Sequence, residues 1–277
     1  MKLGLFSYSY HLAFGKHELF TPLLHPKMDI FTFIDKANSL GLEGIQIDIC
    51  HLQSHEPTYL SKVRDYAQQH DLYIEYGSTG VEWPHIDKQL EIAKQLGAKL
   101  MRTYMGFNRY DPAINAEHEV NNAIDILRKV EKKAQQYGVM LAIENHCDAN
   151  ISELEKLMKE VHSPNIGLCV DLGNFMIHQE SPTEAIRRLA PYIVNTHFKD
   201  YAMKMENWGF KSYGVPLGEG VIELDKILTI LKNESKLDRI MLEIPVEKEG
   251  NETATLYKEN EYVEKSVRYA RDILGIC

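Results

Sequence analysis

Short apolar runs rich in Ile, Leu, Val and Tyr alternate with longer amphipathic stretches from Lys2 to Pro245, and most runs stop at a polar or charged residue. Eight of them read as strands: Leu3–Ser9, Gly44–Ile49, Leu72–Ser78, Lys99–Tyr104, Met140–Asn145, Ile166–Leu172, Ile193–Lys199 and Arg239–Pro245. They are nearly continuous rather than alternating, as expected of parallel strands covered on both faces. Between them the apolar residues recur at three and four. Ile86, Leu90, Ala93 and Leu96 form one such stripe, and Ile124, Leu127, Val130 and Ala134 another, which predicts helices packed on a sheet. Leu40-Gly41, Leu96-Gly97 and Tyr137-Gly138 place glycine where a helix ends in a left-handed residue and the chain turns back.

The repeating unit is strand, helix, glycine, strand. Eight such units predict an α/β fold of the closed parallel (β/α)8 barrel type, the TIM barrel, rather than an open doubly wound sheet. No Gly-x-Gly-x-x-Gly follows the first strand to suggest dinucleotide binding. Asp48, Glu75 and Arg102 fall 27 residues apart, as do Glu144 and Asp171, which suggests equivalent strand ends. Two longer gaps locate extended loops near Gly106–Glu117 and Tyr201–Gly220, over the strand C-terminal ends where barrel active sites form. After Pro245 a charged loop precedes a stripe of Tyr262, Tyr269, Ile273 and Leu274, expected to be the eighth helix. With no linker in sight, residues 1–277 read as one domain, a length ordinary for such a barrel.

Charge and composition narrow the function. Lys and Arg number 31 against 40 Asp and Glu, a formal charge of −9 that argues against a nucleic-acid partner. No apolar stretch approaches the roughly 18 residues of a membrane span, so a soluble chain with no membrane partner is expected. The N-terminal run is broken by polar residues and lacks a small-residue cleavage site, which makes it a buried strand rather than a signal peptide. Cys50, Cys147, Cys169 and Cys277 form no Cys-x-x-Cys pair, leaving neither a disulfide framework nor a thiolate zinc site. A cytoplasmic location fits best.

The last four strands end in Ala-Ile-Glu144-Asn-His, Cys-Val-Asp171-Leu-Gly-Asn, Asn-Thr-His197-Phe-Lys-Asp and Leu-Glu243-Ile-Pro. Each presents one metal-competent side chain at its C-terminal end. Any one of them is an ordinary buried charge paired with a residue such as Arg102 or Lys199; four on successive strands make a set. Carboxylates buried there need a counter-charge, and a divalent cation supplies one. Three carboxylates and one imidazole favour six-coordinate Mn²⁺, Mg²⁺ or Co²⁺ over a closed structural Zn²⁺.

On these residues the chain resembles the xylose isomerase-like barrel superfamily, which includes ketose 3-epimerases, inosose-processing enzymes and endonuclease IV. That resemblance covers essentially the whole chain and implies Glu144, Asp171, His197 and Glu243 as the metal set. Pro216-Leu217-Gly218-Glu219-Gly220 is similar to a glycine pair common in the superfamily after the metal histidine. The resemblance further implies that Glu144 and Glu243 flank the substrate as the catalytic acid/base pair, with Asp171 and His197 as ligands only. The expected activity is isomerisation or epimerisation of a small sugar, inositol-like ketone or hydroxy-keto compound by proton transfer through an enediolate held by the ion. It also leaves a homo-oligomer open, with no surface stripe that names an interface.

Two departures bear on the substrate. Ketose 3-epimerases usually carry a histidine three residues after the metal aspartate and an arginine six after the metal histidine; here these positions are Asn174 and Met203. The further histidines that endonuclease IV needs for its metal cluster are absent from the matching positions. A lyase or dehydratase on the same scaffold, expelling a β-hydroxyl from the enediolate, and a non-catalytic carbohydrate-binding subunit are the alternatives. The intact pair Glu144 and Glu243 counts against the latter. Gln46, Arg102, His146, Asn174 and Lys199, at or near strand ends, are candidate substrate contacts. His11 and Phe14 are candidate pocket walls, Trp83 and Trp208 candidate lid residues, and Cys147, without a clear base partner, reads as inert. No glycine-rich cationic cradle follows the last strands, which favours a non-phosphorylated substrate.

Overall fold

The structure, a computed structural model, describes residues 1–16 and 25–276, so Cys277 lies outside the described residues. Strands and helices alternate: β1 (Lys2–Phe6), α1 (Ile30–Ser39), β2 (Gly44–Asp48), α2 (Pro57–Gln69), β3 (Tyr73–Gly77), α3 (His85–Gln95), β4 (Leu100–Thr103), α4 (Ala116–Tyr137) and β5 (Met140–Glu144). The second half continues with α5 (Ile151–Val161), β6 (Ile166–Asp171), α6 (Pro182–Leu189), β7 (Ile193–His197), β8 (Asp200–Glu206), β9 (Gly209–Val215), α7 (Leu224–Glu234), β10 (Arg239–Leu242) and α8 (Glu252–Asp272). All eight expected strands are present, in one parallel sheet of order β10-β1-β2-β3-β4-β5-β6-β7. The ring closes between β7 and β10 through an isolated bridge, Phe198 to Leu242. There the Phe198 N–H donates to the Met241 carbonyl at 2.8 Å and the Glu243 N–H to the Phe198 carbonyl at 3.1 Å. The result is the (β/α)8 barrel that the alternation predicts.

Local chemistry explains the boundaries. Asn115, Asn150 and Asn251 cap α4, α5 and α8 by accepting from backbone N–H groups, and Glu153 reaches back to the Asn150 N–H to complete a capping box. Gly138 stops α4 at φ +64°, a left-handed conformation that a side chain resists. The stripes of α3 and α4 are buried against the sheet as expected. Each fully buried Leu or Ile contributes roughly 1.5–3 kcal/mol relative to exposure.

Three expectations need correction. The inward face of α8 is Thr255, Glu259, Val263, Ser266, Val267 and Ala270; of the expected stripe, Leu274 just beyond the helix is buried, whereas Ile273 is 67% exposed. Tyr262 and Tyr269 ride its flank, partly buried, and polar core positions are satisfied locally: Glu259 accepts from Leu12 and Ala13 N–H at 2.8 and 3.0 Å. Register pairs Asp48 with Gly77 and Gly77 with Arg102, so Glu75, opposite Gln46, sits one layer deeper than its spacing suggests. The stretch expected as an extended loop at Tyr201–Gly220 is largely the antiparallel hairpin β8–β9. Both faces of its outer half are exposed, so it carries no in-out alternation.

Behind the hairpin, the buried Asp200 carboxylate accepts from the N–H groups of Tyr201, Gly218, Gly220 and Ile222 at 2.9–3.2 Å. A Cβ on Gly220 would lie 2.1 Å from Asp200 Oδ1, which explains glycine there. The Pro216–Gly220 motif thus folds around a carboxylate at the base of the hairpin.

Candidate metal centre

β5, β6 and β7 end at Glu144, Asp171 and His197, and Glu243 follows the last residue of β10. All four are buried. His197 Nδ1 lies 2.9 Å from Glu243 Oε2, 3.5 Å from Glu144 Oε1 and 4.0 Å from Asp171 Oδ2. Its other nitrogen, Nε2, is 2.7 Å from Gln46 Oε1. The Gln46 amide is oriented by its Nε2 donating to Glu75 Oε2 at 3.1 Å, so its oxygen accepts and His197 Nε2 carries the proton. Nδ1 faces the three carboxylates. Burial opposes charge on the imidazole, but its acidic neighbours, Glu144 and Glu243 among them, outweigh it and raise His197 well above its ordinary value, so this nitrogen carries a proton as well, one that an ion would displace to gain the ligand.

The donor atoms fit an ion. Asp171 Oδ2, His197 Nδ1 and Glu243 Oε2 lie within 4.8 Å of one another. All three are buried without an aligned hydrogen bond among the described residues. Their close contacts are ion pairs among themselves and with Lys199, and a divalent cation would draw all three into coordination with Glu144 alongside. Cys169, opposite Glu144 in the register, is also near Glu144 and His197, but its Sγ lies 3.3 Å from Asn195 Oδ1.

Two cations balance part of the charge. Lys199 Nζ stands 2.6 Å from Asp171 Oδ2 and 3.0 Å from Glu243 Oε2. Arg102 donates from Nε to Glu144 Oε2 and from Nη1 to the Ser78 carbonyl, and lies 3.7 Å from Asp48 Oδ2. Burial pushes the Glu144 carboxyl up, but Arg102 and His197 overcome it and hold it well below the usual range. Burial likewise opposes ionisation of Glu243, yet Lys199 and His197 hold it down at about 2. For Asp171 burial wins, and Glu243 and Glu144 add to it, against the pull of Lys199.

The structure gathers most of the other expected residues near this centre, in differing roles. Gln46 is fully buried behind His197 with its amide engaged on both sides. Asn174 donates to Glu144 Oε1 at 3.3 Å, and its backbone N–H caps Asp171 at 3.1 Å. His146, half-buried, stacks on Tyr104 with ring centres 4.1 Å apart. Phe14 packs on His51 rather than on an open wall, and His11 stacks on Tyr8. Trp83 and Trp208 are exposed, as is Met203 on β8. Cys147 is half-buried, and burial pushes its thiol up to about 11, which keeps it protonated near neutral pH. Asp48, Glu75, Asn195 and His51 are parts of the rim and its support that sequence reading misses. Their side chains act across strands, and only the register reveals it.

The fold and this four-residue centre define a class. The chain belongs to the xylose isomerase-like TIM barrel family, whose model matches residues 34–273. A curated relative, 3-oxo-isoapionate decarboxylase of Pectobacterium atrosepticum, is 28% identical over 247 residues, covering 87% of each chain. Among solved structures, D-psicose 3-epimerase in the presence of D-fructose superposes with a TM-score of 0.77 at 17% identity, over 99% of this chain and all of the other. IolI protein with a bound zinc atom gives 0.75 at 17% identity, over 99% of this chain and 98% of its own. At that identity the structural likeness speaks for the fold. With the family, these relatives make the chain an enzyme of the xylose isomerase-like superfamily.

Proposed function

We propose that this chain is a divalent-metal-dependent isomerase or epimerase of a small, non-phosphorylated polyhydroxylated carbonyl compound. The convergence of three buried donor atoms on Asp171, His197 and Glu243, with Glu144 beside them, carries the reading. The residues that would hold the ion are Glu144, Asp171, His197 and Glu243, and their oxygen-rich set favours Mn²⁺, Mg²⁺ or Co²⁺. When bound, the ion supplies an electrophile for a substrate carbonyl. Glu144 and Glu243, both held ionised by their cationic neighbours, are the groups that remove and return a proton at the adjacent carbon. Asn174 and His146 line the same rim and offer hydrogen bonds to hydroxyls.

A second reading, a lyase on the same site, is supported by Lys199. An ammonium 3.0 Å from Glu243 Oε2 makes that carboxylate a weaker base and provides positive charge for a substrate carboxylate or a developing enediolate. The decarboxylase relative points the same way. In that case the bond between carboxylate and α-carbon breaks, carbon dioxide leaves with the electron pair passing to the enediolate, and an acid reprotonates the carbon.

The test is solvent-deuterium exchange into keto-sugars, inosose and hydroxypyruvate with Mn²⁺ present, alongside carbon dioxide release from 3-oxo acids. Exchange without carbon dioxide supports the isomerase; carbon dioxide release supports the lyase. Glu243→Gln should abolish turnover with the fold intact. Full activity in Glu243→Gln, or in a His197→Ala variant that binds no metal, would remove the proposed centre from the reaction.

A further inference from the structure

β1 and β2 are paired neighbours, and each ends in a short 3-10 turn, Ser7–Tyr10 and Ile49–His51, on the rim that carries the metal centre. These turns bring His11, Cys50 and His51 together, with one donor atom of each within 4.8 Å of the others. His11 Nδ1 and His51 Nε2 face each other at 2.9 Å. A hydrogen bond joins the two imidazoles, its proton standing where a cation could take its place.

The surroundings fix both rings. Tyr8 stacks on His11 at 4.0 Å between ring centres, and Phe14 stacks on His51 at 4.1 Å. On the far side of His51, Ser7 Oγ lies 2.7 Å from Nδ1 and accepts from the Asp48 N–H at 2.9 Å. Ser7 can therefore take the Nδ1 proton and leave His51 Nε2 as a lone pair, the usual support of a metal-bound histidine. Asp48 braces the third residue, accepting from the Cys50 N–H at 3.0 Å. Cys50 is half-buried, and burial and the Asp48 carboxylate push its thiol up, so it is the ion that would draw off its proton.

We propose that His11, Cys50 and His51 form a second metal site, selective for a borderline-soft divalent ion of the Zn²⁺ type. Two imidazoles and one sulfur differ in kind from the oxygen-rich set of the main centre, and three protein ligands leave a fourth tetrahedral position open. Zn–N bonds of about 2.0–2.1 Å at tetrahedral angles place the two nitrogens ~3.3 Å apart, so the nitrogens must part by a few tenths of an ångström and the rings, now head-on with centres 5.2 Å apart, must turn to aim both at one ion. Binding displaces two protons: the thiol proton of Cys50, which is released, and the Nδ1 proton that His11 donates to His51, which moves to Nε2 of the His11 ring. Asp48 connects this site to the main one, because its carboxylate lies 3.7 Å from Arg102 Nη1 and Arg102 holds Glu144.

The site is tested by titrating metal-stripped full-length protein with Co²⁺ and recording absorption. The wild type should take up two equivalents, one of them giving a thiolate-to-cobalt charge-transfer band in the near ultraviolet. Asp171→Asn should lose one equivalent and keep the band. Cys50→Ser should lose the band, Cys169→Ser should keep it, and Ser7→Ala should weaken the second equivalent by about 10-fold or more. A single equivalent without a thiolate band, or a band that survives Cys50→Ser and disappears in Cys169→Ser, overturns the proposal.

Discussion

Gln46 offers the sharpest test of how the main centre is built. Replacing it with Leu keeps the side chain's bulk but removes the oxygen that accepts from His197 Nε2 at 2.7 Å and the amide that donates to Glu75 at 3.1 Å. Both sites are buried, but Glu75 Oε2 keeps the Asn195 amide at 2.6 Å, so the His197 N–H alone is left without a partner and the metal-free protein should lose about 1–3 kcal/mol of stability. The effect on the ion is separate. Without an acceptor behind it, the neutral His197 ring is free to keep its proton on Nδ1, the nitrogen that faces the carboxylates, and affinity should fall by about 10–100-fold. Competition with a chelator of known affinity measures the second quantity, and urea unfolding in excess chelator the first. A folded Gln46→Leu variant that binds Mn²⁺ as tightly as the wild type would mean that His197 does not ligate through Nδ1, and the tautomer reasoning would fall.

Three further outcomes follow from buried charges. Arg102→Met leaves Glu144 and Asp48 without their shared cation and should cost about 3–5 kcal/mol in chelated urea unfolding, partly recovered by saturating Mn²⁺; an unchanged midpoint would show that the ion pairs carry no weight. Asp200→Ala strips the acceptor from four backbone N–H groups at the foot of the hairpin and should lower stability by at least ~3 kcal/mol, with faster amide exchange at Gly218, Gly220 and Ile222; unaltered exchange there would refute the anchoring role. Burial raises the Glu259 carboxyl to about 8 from an ordinary 4.5, so between those values the folded chain holds a proton that the unfolded chain has lost. Stability should therefore decline as pH rises from 4.5 to 8, by about 5 kcal/mol at most, and Glu259→Gln should flatten that decline in urea titrations at pH 5 and 8.5. Equal slopes in both proteins would count against it.

What is legible in the sequence follows the range over which each signal acts. Strands buried on both faces announce themselves as continuous apolar runs, and Glu144, Asp171 and His197 stand where those runs stop. The roles behind them are not local. Gln46 reads as a polar strand-end residue that could touch substrate, and only the barrel's curvature turns it toward His197, 151 positions later. Glu75 keeps a perfect 27-residue spacing yet lies a layer down, because register is set by backbone pairing and not by counting. The hairpin escapes notice because no face of its outer half is buried, and α8 misleads because Glu259 and Ser266 occupy inward positions that apolar counting assigns to tyrosines.

The way the barrel closes has a consequence for its motions. Seven of the eight strand junctions are ladders, while β7 and β10 meet at one bridge between Phe198 and Leu242. His197 stands immediately before that bridge and Glu243 immediately after it, one on each lip. An ion shared by the two would act as a clasp on the thinnest seam of the wall. The metal-free barrel should then breathe first along this line, as a slit rather than by loosening evenly around its circumference. Loading the ion would tie opening of the wall along this seam to exchange of the ion's protein ligands.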